Sequence, residues 1–334
     1  MNPSLSSTKS RYEAPPFRKK ERDEAGKSGV KPDLRVKIGK LELKNPVMAA
    51  SGTFGSGEEY KDLLDLNKIG AIVTKSITIN AREGNPPPRI VETPSGMLNS
   101  IGLQNDGIEA FIRDKVPFLK SIKSAAIVSI AAHSVNDYAK LAERLNGIGR
   151  IDAIEINISC PNVKGGLEFS REPFSAFEVT NAVRRKTKKT VIAKLSPNVT
   201  DIAAIAVSAE DAGADAVSLV NTFTGMAVDV DTKRPVLGNI VGGLSGPAIK
   251  PIALRMVWEV FKKIKIPVIG MGGIMDSDDA LEFIIAGASA IQIGTANFVN
   301  PKAAIEIIDG IEEHMRENKI KNIKELTGCL KTKG

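Results

Sequence analysis

The chain has 334 residues, 42% of them hydrophobic and only 4% aromatic, so a sizeable core has to be built from Val, Ile, Leu and Ala, the mix of buried parallel strands. The net charge of +7 is no nucleic-acid signal: basic residues crowd the first 40 positions and the stretch from Lys319 to Lys333, without the aromatics that stack on bases. Two cysteines exclude a disulfide scaffold and fit a reducing compartment, and no apolar run reaches the roughly 20 residues that span a bilayer, so a cytoplasmic protein with no membrane and no nucleic-acid partner is expected.

Residues 1–33 read as a disordered polar tail, lacking the apolar centre of a secretory signal and carrying acids that a transit peptide avoids. From Leu34 the pattern becomes regular. "LRVKIGKLELKNPV" reads as a hairpin, followed by eight short apolar runs expected as buried strands: VMAAS (47–51), AIVTKS (71–76), AIVSIAA (126–132), AIEINIS (153–159), VIAKLS (191–196), AVSLVN (216–221), VIGMGG (268–273) and AIQIGT (290–295). Helical spacing lies between or after them, in EEYKDLLDLNKI, NDYAKLAERLNGI, DIAAIAVSAEDAG, PIALRMVWEVFKKI and SDDALEFIIAG. "EDAGADAVSL" and "IIAGASAIQI" each stop a helix on Gly and enter the next strand at once.

Eight alternations of strand and helix point to parallel βαβ units, either an open doubly wound sheet or a closed barrel. Eight units within about 260 residues are near the usual size of a (β/α)8 TIM barrel, and no GxGxxG follows the first strand as an open dinucleotide-binding sheet would require. The fold class expected is therefore α/β, with a (β/α)8 barrel over residues 34–318, an N-terminal β-hairpin and a basic C-terminal tail over 319–334. Two long connections, residues 77–125 and 222–267, have the length of active-site loops or lids.

Polar residues collect just after the strands, at what would be one mouth of such a barrel. Chain order gives Ser51, Lys75 and Ser76, Ser129, Asn157 with Cys160 and Asn162, Lys194, Asn221 and Thr222, Gly272 and Gly273, then Gly294 and Thr295. The long loop after the second strand adds "MLNSIGLQN" with Asn99 and Asn105. Loops after strands 7 and 8 of such barrels often bind phosphate through backbone amides, and "GMGGIMDSDDA", "IGTANF" and the preceding Gly246 supply the glycines for close approach. Two ordinary tight turns would explain the glycines of either loop taken singly. Lys75 and Lys194 sit inside apolar runs, where an unpaired ammonium is costly, so they point to an anionic or electron-rich ligand unless both reach solvent. Asn99, Asn157, Asn162 and Asn221 each offer donors and an acceptor without charge, which suits a cyclic ureide.

Cys160 lies among these groups, just past the fourth strand. Nucleophile, metal ligand, redox thiol and general base are the chemical choices for it, beside a purely structural thiol. Only His133 and His314 are available for a Cys–His pair, and no second cysteine is near in sequence for CxxC chemistry, so no metal site is expected. Proton abstraction is the leading role.

"EINISCPNVKGG", "MLNSIGLQNDG", "SLVNTFTGMAVDV", "GGLSGPAIKPIALRMV" and "IPVIGMGGI" together resemble the class 1 dihydroorotate dehydrogenases, from about Leu34 to about Asn300. The resemblance implies an FMN-containing (β/α)8 barrel that oxidises dihydroorotate to orotate in de novo pyrimidine (UMP) biosynthesis, with Cys160 at the position of the family's base. By the same matching Lys75, Asn99, Asn157, Asn162, Asn221 and Thr222 contact the pyrimidine, together with Ser100, Ile101, Gly102 and Leu103. Ser51, Lys75, Ser76, Asn157, Lys194 and Val220 flank the flavin ring, and Gly246, Gly272, Gly273, Gly294 and Thr295 hold its phosphate side. Relatives often carry Asn at the end of strand 3; Ser129 stands there, with a hydroxyl that can still donate. "SGTFGSGEEY" and "TKRPVLGNIVGGLSGPAIKPIALRMVWEV" are similar to the 1B type, which implies a homodimer core in a heterotetramer with an iron–sulfur FAD subunit that passes electrons to NAD. Three other readings stay open: a fumarate-reducing 1A enzyme, another flavin-dependent pyrimidine reductase of the dihydropyrimidine dehydrogenase kind, and a flavin-free phosphate-binding barrel. Class 2, with its N-terminal helical extension for quinone and membrane, is disfavoured by the polar tail.

Overall fold

A computed structural model describes residues 31–158 and 172–332. The expected N-terminal tail, up to residue 30, lies outside the described residues, and so do Cys160 and Asn162. The first described element is the expected hairpin, Val36–Ile38 paired antiparallel with Leu41–Leu43. Its apolar face carries Ile38 and Leu43, both buried, and its turn lies against the starts of two barrel strands: the Lys40 amide donates to Thr190 Oγ1 at 3.3 Å. The hairpin thus closes the N-terminal end of the barrel.

All eight expected strands form, as β1 (Val47–Ala49), β2 (Ala71–Val73), β3 (Ala125–Ile130), β4 (Ala153–Asn157), β5 (Thr190–Lys194), β6 (Ala216–Leu219), β7 (Val268–Met271) and β8 (Ala288–Ile293). Each pairs in parallel with its neighbours, and β8 pairs with β1, so the sheet closes. Their residues are almost all buried, because helices cover the outer face and side chains fill the inner one; this is why the runs read as continuous apolar stretches rather than alternating ones.

The helices are α1 (Gly107–Ala110, continuing through a π turn at Phe111–Lys115 into Val116–Ser121), α2 (Val135–Asn146), α3 (Pro173–Lys186), α4 (Ile202–Asp211), α5 (Lys250–Phe261), α6 (Ser277–Ala286), the single turn α7 (Ala296–Val299) and α8 (Ala303–Glu317). Side-chain caps start three of them: Ser134 accepts from the Asp137 amide, Asp201 from the Ala203 and Ala204 amides, and Asp276 from the Asp279 amide. Gly287 ends α6 at φ 128°, and a Cβ there would come within 2.2 Å of the Phe261 ring, so the stop at "IIAG" needs glycine on both counts.

One expected helix is absent. EEYKDLLDLNKI forms two short 3-10 turns, Glu58–Tyr60 and Leu66–Lys68, instead of a continuous helix. The Asp65 carboxylate accepts from the Asn67 amide at 3.0 Å and restarts the chain there, a local bond that competes with the helical ladder. Asn67 is in turn claimed by other segments, its side chain accepting from the Lys123 amide and its carbonyl from the Lys44 ammonium.

The two long connections meet each other. Ile90–Thr93 and Gly96–Asn99 form a hairpin in the first, Phe223–Met226 and Val241–Ser245 pair in the second, and the four make one antiparallel sheet through the pairing of Val241–Ser245 with Gly96–Asn99. At the opposite end of the chain Ile323–Glu325 forms a capped turn whose Ile323 is buried, and Asp33 bridges to Asn322. Among the described residues no helix is long and apolar enough to cross a membrane.

Candidate active site

A cavity of about 260 Å³ opens at the C-terminal mouth of the barrel, under the four-stranded sheet of the two long loops. Each strand stops where a polar or glycine residue takes over, and those residues reach the wall. Ser51 follows β1, Lys75 and Ser76 follow β2, Asn157 and Lys194 end β4 and β5, and Val220, Asn221 and Thr222 follow β6. Gly272 and Gly273 follow β7, and Gly294 and Thr295 follow β8. The long loops contribute Asn99, Ile101, Gly102 and Leu103 from one side and Gly246 from the other.

Two of the expected contacts stand elsewhere. Ser129 is fully buried behind the wall, its hydroxyl 2.8 Å from that of Ser76. Ser100 is also fully buried; its amide donates to the Arg89 carbonyl at 2.7 Å, and its hydroxyl accepts from Asn85 at 3.0 Å.

A chain of hydrogen bonds runs along one side. Asn157 donates to Ser76 Oγ at 3.1 Å and accepts from Asn221 Nδ2 at 3.4 Å, and the Asn221 side chain accepts from the Thr222 amide at 2.8 Å. Behind the end of β4 the buried Tyr138 of α2 donates its hydroxyl to the Asn157 carbonyl at 2.8 Å. Asn99 is oriented by donation to the Gly243 carbonyl at 3.2 Å. These bonds set which way each amide faces, so the side presents fixed donors and acceptors. Lys75 is half-buried beside them, and desolvation, reinforced by the Arg89 charge, pushes its pKa below that of an ordinary lysine.

The opposite side is made of backbone. Gly246, Gly272 and Gly273 have φ of 95°, 120° and 80°, the left-handed region. A Cβ on Gly273 would lie 2.8 Å from the Lys250 amide nitrogen, and one on Gly246 would lie 2.7 Å from Gly96 Cα. At Gly52 a Cβ would meet nothing within 4 Å, and at Gly294 its nearest neighbour would be 3.8 Å away, so at these two positions a side chain would take up open space beside the cavity. Lys194 stands between the two sides, donating to Ser51 Oγ at 3.2 Å.

Several wall residues were not anticipated: Gly52, Thr53, Met97, Ser245, Gln292 and Phe298. Gln292 had a usable signal, since it is a polar residue inside the apolar run AIQIGT, the same feature that singled out the lysines. Met97 had none, because it reaches the cavity only through the pairing of two distant loops.

The fold is a (β/α)8 barrel, an architecture whose enzymes keep their chemistry at the C-terminal mouth, and the cavity of this chain opens there. Residues 33–315 match the family model described as dihydroorotate dehydrogenase. The chain belongs to the dihydroorotate dehydrogenase family and is an oxidoreductase; enzymes of this family are flavin-dependent. It is 58% identical over 302 residues to the dihydroorotate dehydrogenase B (NAD(+)), catalytic subunit, of Trichlorobacter lovleyi, covering 90% of this chain and 99% of that protein. The proteins of the same description from Geotalea uraniireducens and Thermoanaerobacter pseudethanolicus are 56% and 58% identical, with the same coverage.

Proposed function

We propose that this chain oxidises (S)-dihydroorotate to orotate with FMN as the electron acceptor, as the catalytic subunit of an NAD-linked enzyme of de novo pyrimidine biosynthesis in the cytoplasm. The observation that carries the reading is a single cavity with two unlike sides, fixed amides and Lys75 on one and left-handed glycine turns on the other. The first complements a carboxylated cyclic ureide and the second a phosphate.

The residues fit FMN. Open space at Gly52 and Gly294 leaves room for a group that a side chain would displace, and the turns at Gly246, Gly272–Gly273 and Gly294–Thr295 can bring backbone amides up to a phosphate. Ser51, Ser76, Lys194 and Val220 would flank the ring. Bound there, FMN would supply a two-electron acceptor beside the substrate.

The protein's own groups then have separate tasks. Lys75 holds the substrate carboxylate. Asn99, Asn157 and Asn221, with Asn162, pair with the ring's amide edges, and the bonds among them keep the ring in one orientation. Loss of two electrons and two protons turns dihydroorotate into orotate, and Cys160 as thiolate takes the proton from C5. Met97, Asn99 and Ser245 of the long-loop sheet line the cavity, and with substrate and flavin bound beneath them they would limit the access of water to that proton. Support for Cys160 comes from its place after β4 and from the family resemblance, since it lies outside the described residues.

Electron transfer onward to NAD needs a second subunit carrying an iron–sulfur cluster and FAD, docked on a homodimer of this chain, because two cysteines cannot supply the four ligands of a cluster. The test is the absorbance spectrum of the purified protein. A flavin spectrum that bleaches on addition of dihydroorotate is the expected result. A colourless protein would leave a flavin-free barrel, and bleaching by dihydrouracil instead would select another pyrimidine reductase.

A further inference from the structure

Glu155 stands in the middle of β4, fully buried, in a strand whose other positions before Asn157 are apolar, and no step above uses it. Its Oε2 accepts from Ser218 Oγ of β6 at 3.0 Å and from Gln292 Nε2 of β8 at 2.7 Å. Its Oε1 accepts no hydrogen bond among the described residues and lies 3.7 Å from Lys194 Nζ of β5. Four strands thus send polar side chains to one point inside the barrel.

The arrangement is asymmetric in a useful way. A buried carboxylate is costly unless donors and a counter-charge compensate it. Ser218 and Gln292 satisfy one oxygen and thereby turn the other toward the ammonium. At 3.7 Å that contact is an ion pair but too long for a hydrogen bond, so it holds the charge without consuming one of the three N–H donors of Lys194. Ser51 takes one donor at 3.2 Å. Among the described residues the remaining N–H groups have no other hydrogen-bond partner, and Lys194 lines the cavity where a ligand could take them.

We propose that Glu155 is a positioning residue: acting through Lys194, it holds the ammonium against the flavin ring, where negative charge is stabilised when the flavin accepts electrons. The proposal rests on the reading that a flavin occupies this cavity. A buried ion pair with a structural role alone would affect folding and leave the flavin's reduction potential to respond to each charge independently.

The experiment is a double-mutant cycle read in the reduction potential of the bound flavin, with flavin content and melting temperature recorded for every variant. Lys194→Met is expected to lower the potential, because the negative charge loses its partner. Glu155→Gln in the wild-type background is expected to lower it as well, by a tenfold change in the ratio of oxidised- to reduced-flavin affinity, about 30 mV for a two-electron couple. In the Lys194→Met background the same substitution should not lower it further, since it then only removes an unpaired negative charge. A rise in potential for Glu155→Gln alone, or an equal shift in both backgrounds, would overturn the proposal. Should Glu155→Gln fail to fold, Ser218→Ala, which frees one side of the carboxylate, carries the same expectation in smaller measure, and an unchanged potential there counts against it. A wild-type protein without flavin rejects the functional reading itself, whereas a flavin-loaded wild type with additive shifts rejects only the role of Glu155.

Discussion

Lys75 shows how one environment sets a binding property. Desolvation lowers its pKa, so the folded protein disfavours the ammonium relative to the unfolded chain. The sign follows: Lys75 costs stability at neutral pH, and that cost disappears as pH rises from the depressed value through the ordinary 10.5. Binding runs the other way, because an anionic ligand needs the charged form. Orotate affinity, measured by titration of flavin absorbance, is expected to fall on the alkaline side with a midpoint below 10.5, and Lys75→Met should lose that limb and bind about tenfold or more weakly. Affinity independent of pH up to 10.5 in the wild type would remove Lys75 from carboxylate binding. On the proposed reading, Cys160→Ser changes the proton acceptor from a thiol, which ordinarily titrates near roughly 8.5, to a far weaker acid. Turnover at neutral pH should drop by about 10²–10⁴-fold with flavin retained, recovering in part as pH rises. Wild-type turnover in this variant would assign the proton to another group. The place of Lys75 at the cavity wall was legible in the sequence, because a charged side chain at the end of an apolar run has few bland explanations; Cys160 was singled out by its polar surroundings and lies outside the described residues. Ser129 was less legible: its place near the end of strand 3 was clear, but only the packing shows that its hydroxyl faces Ser76 rather than the cavity.

Periodicity marks the strands and helices, and four of the five segments with helical spacing form helices: NDYAKLAERLNGI, DIAAIAVSAEDAG, PIALRMVWEVFKKI and SDDALEFIIAG. EEYKDLLDLNKI shows the limit of that method. Its spacing is helical, but an Asp at position 65 can bond its own backbone two residues on, and bonds from Lys44 and Lys123 complete the alternative. The sheet formed by the two long loops was invisible for a different reason, since Asn99 and Gly243 have no local signal that pairs them. That sheet makes a prediction at the scale of the element. The tip of the first hairpin presses on the second loop, where a Cβ at Gly96 would lie 2.1 Å from the Ser245 carbonyl oxygen, next to Gly246. Gly96→Ala should therefore cost about 1–3 kcal/mol through overpacking and, more specifically, speed the release of flavin on dilution. A variant that melts lower but keeps its flavin as tightly as wild type would separate this contact from the cofactor side.

For the whole molecule the decisive question is where electrons go. On the proposed reading the isolated chain takes electrons from dihydroorotate and passes them to an artificial dye, but reduces NAD poorly, because no dinucleotide fingerprint follows the first strand and no cluster ligands are present in sufficient number. Steady-state oxidation of dihydroorotate with NAD, fumarate or a dye as acceptor, using this polypeptide alone, checks it. Rapid NAD reduction would make a second subunit unnecessary, and efficient fumarate reduction would point to the 1A type.

Period, composition and punctuation were enough to determine eight buried strands, their parallel order and the chemical types gathered at their ends, since each of these is a property of short segments. The pairing of two loops more than a hundred residues apart and the convergence of Glu155, Lys194, Ser218 and Gln292 were decided only in the tertiary structure, whereas barrel closure was already expected from the count and spacing of the units. The physical reason is that a strand's sequence records that it is buried but not which neighbour's side chain meets it inside the barrel, and a buried charge becomes intelligible only once its partners from other strands are in place.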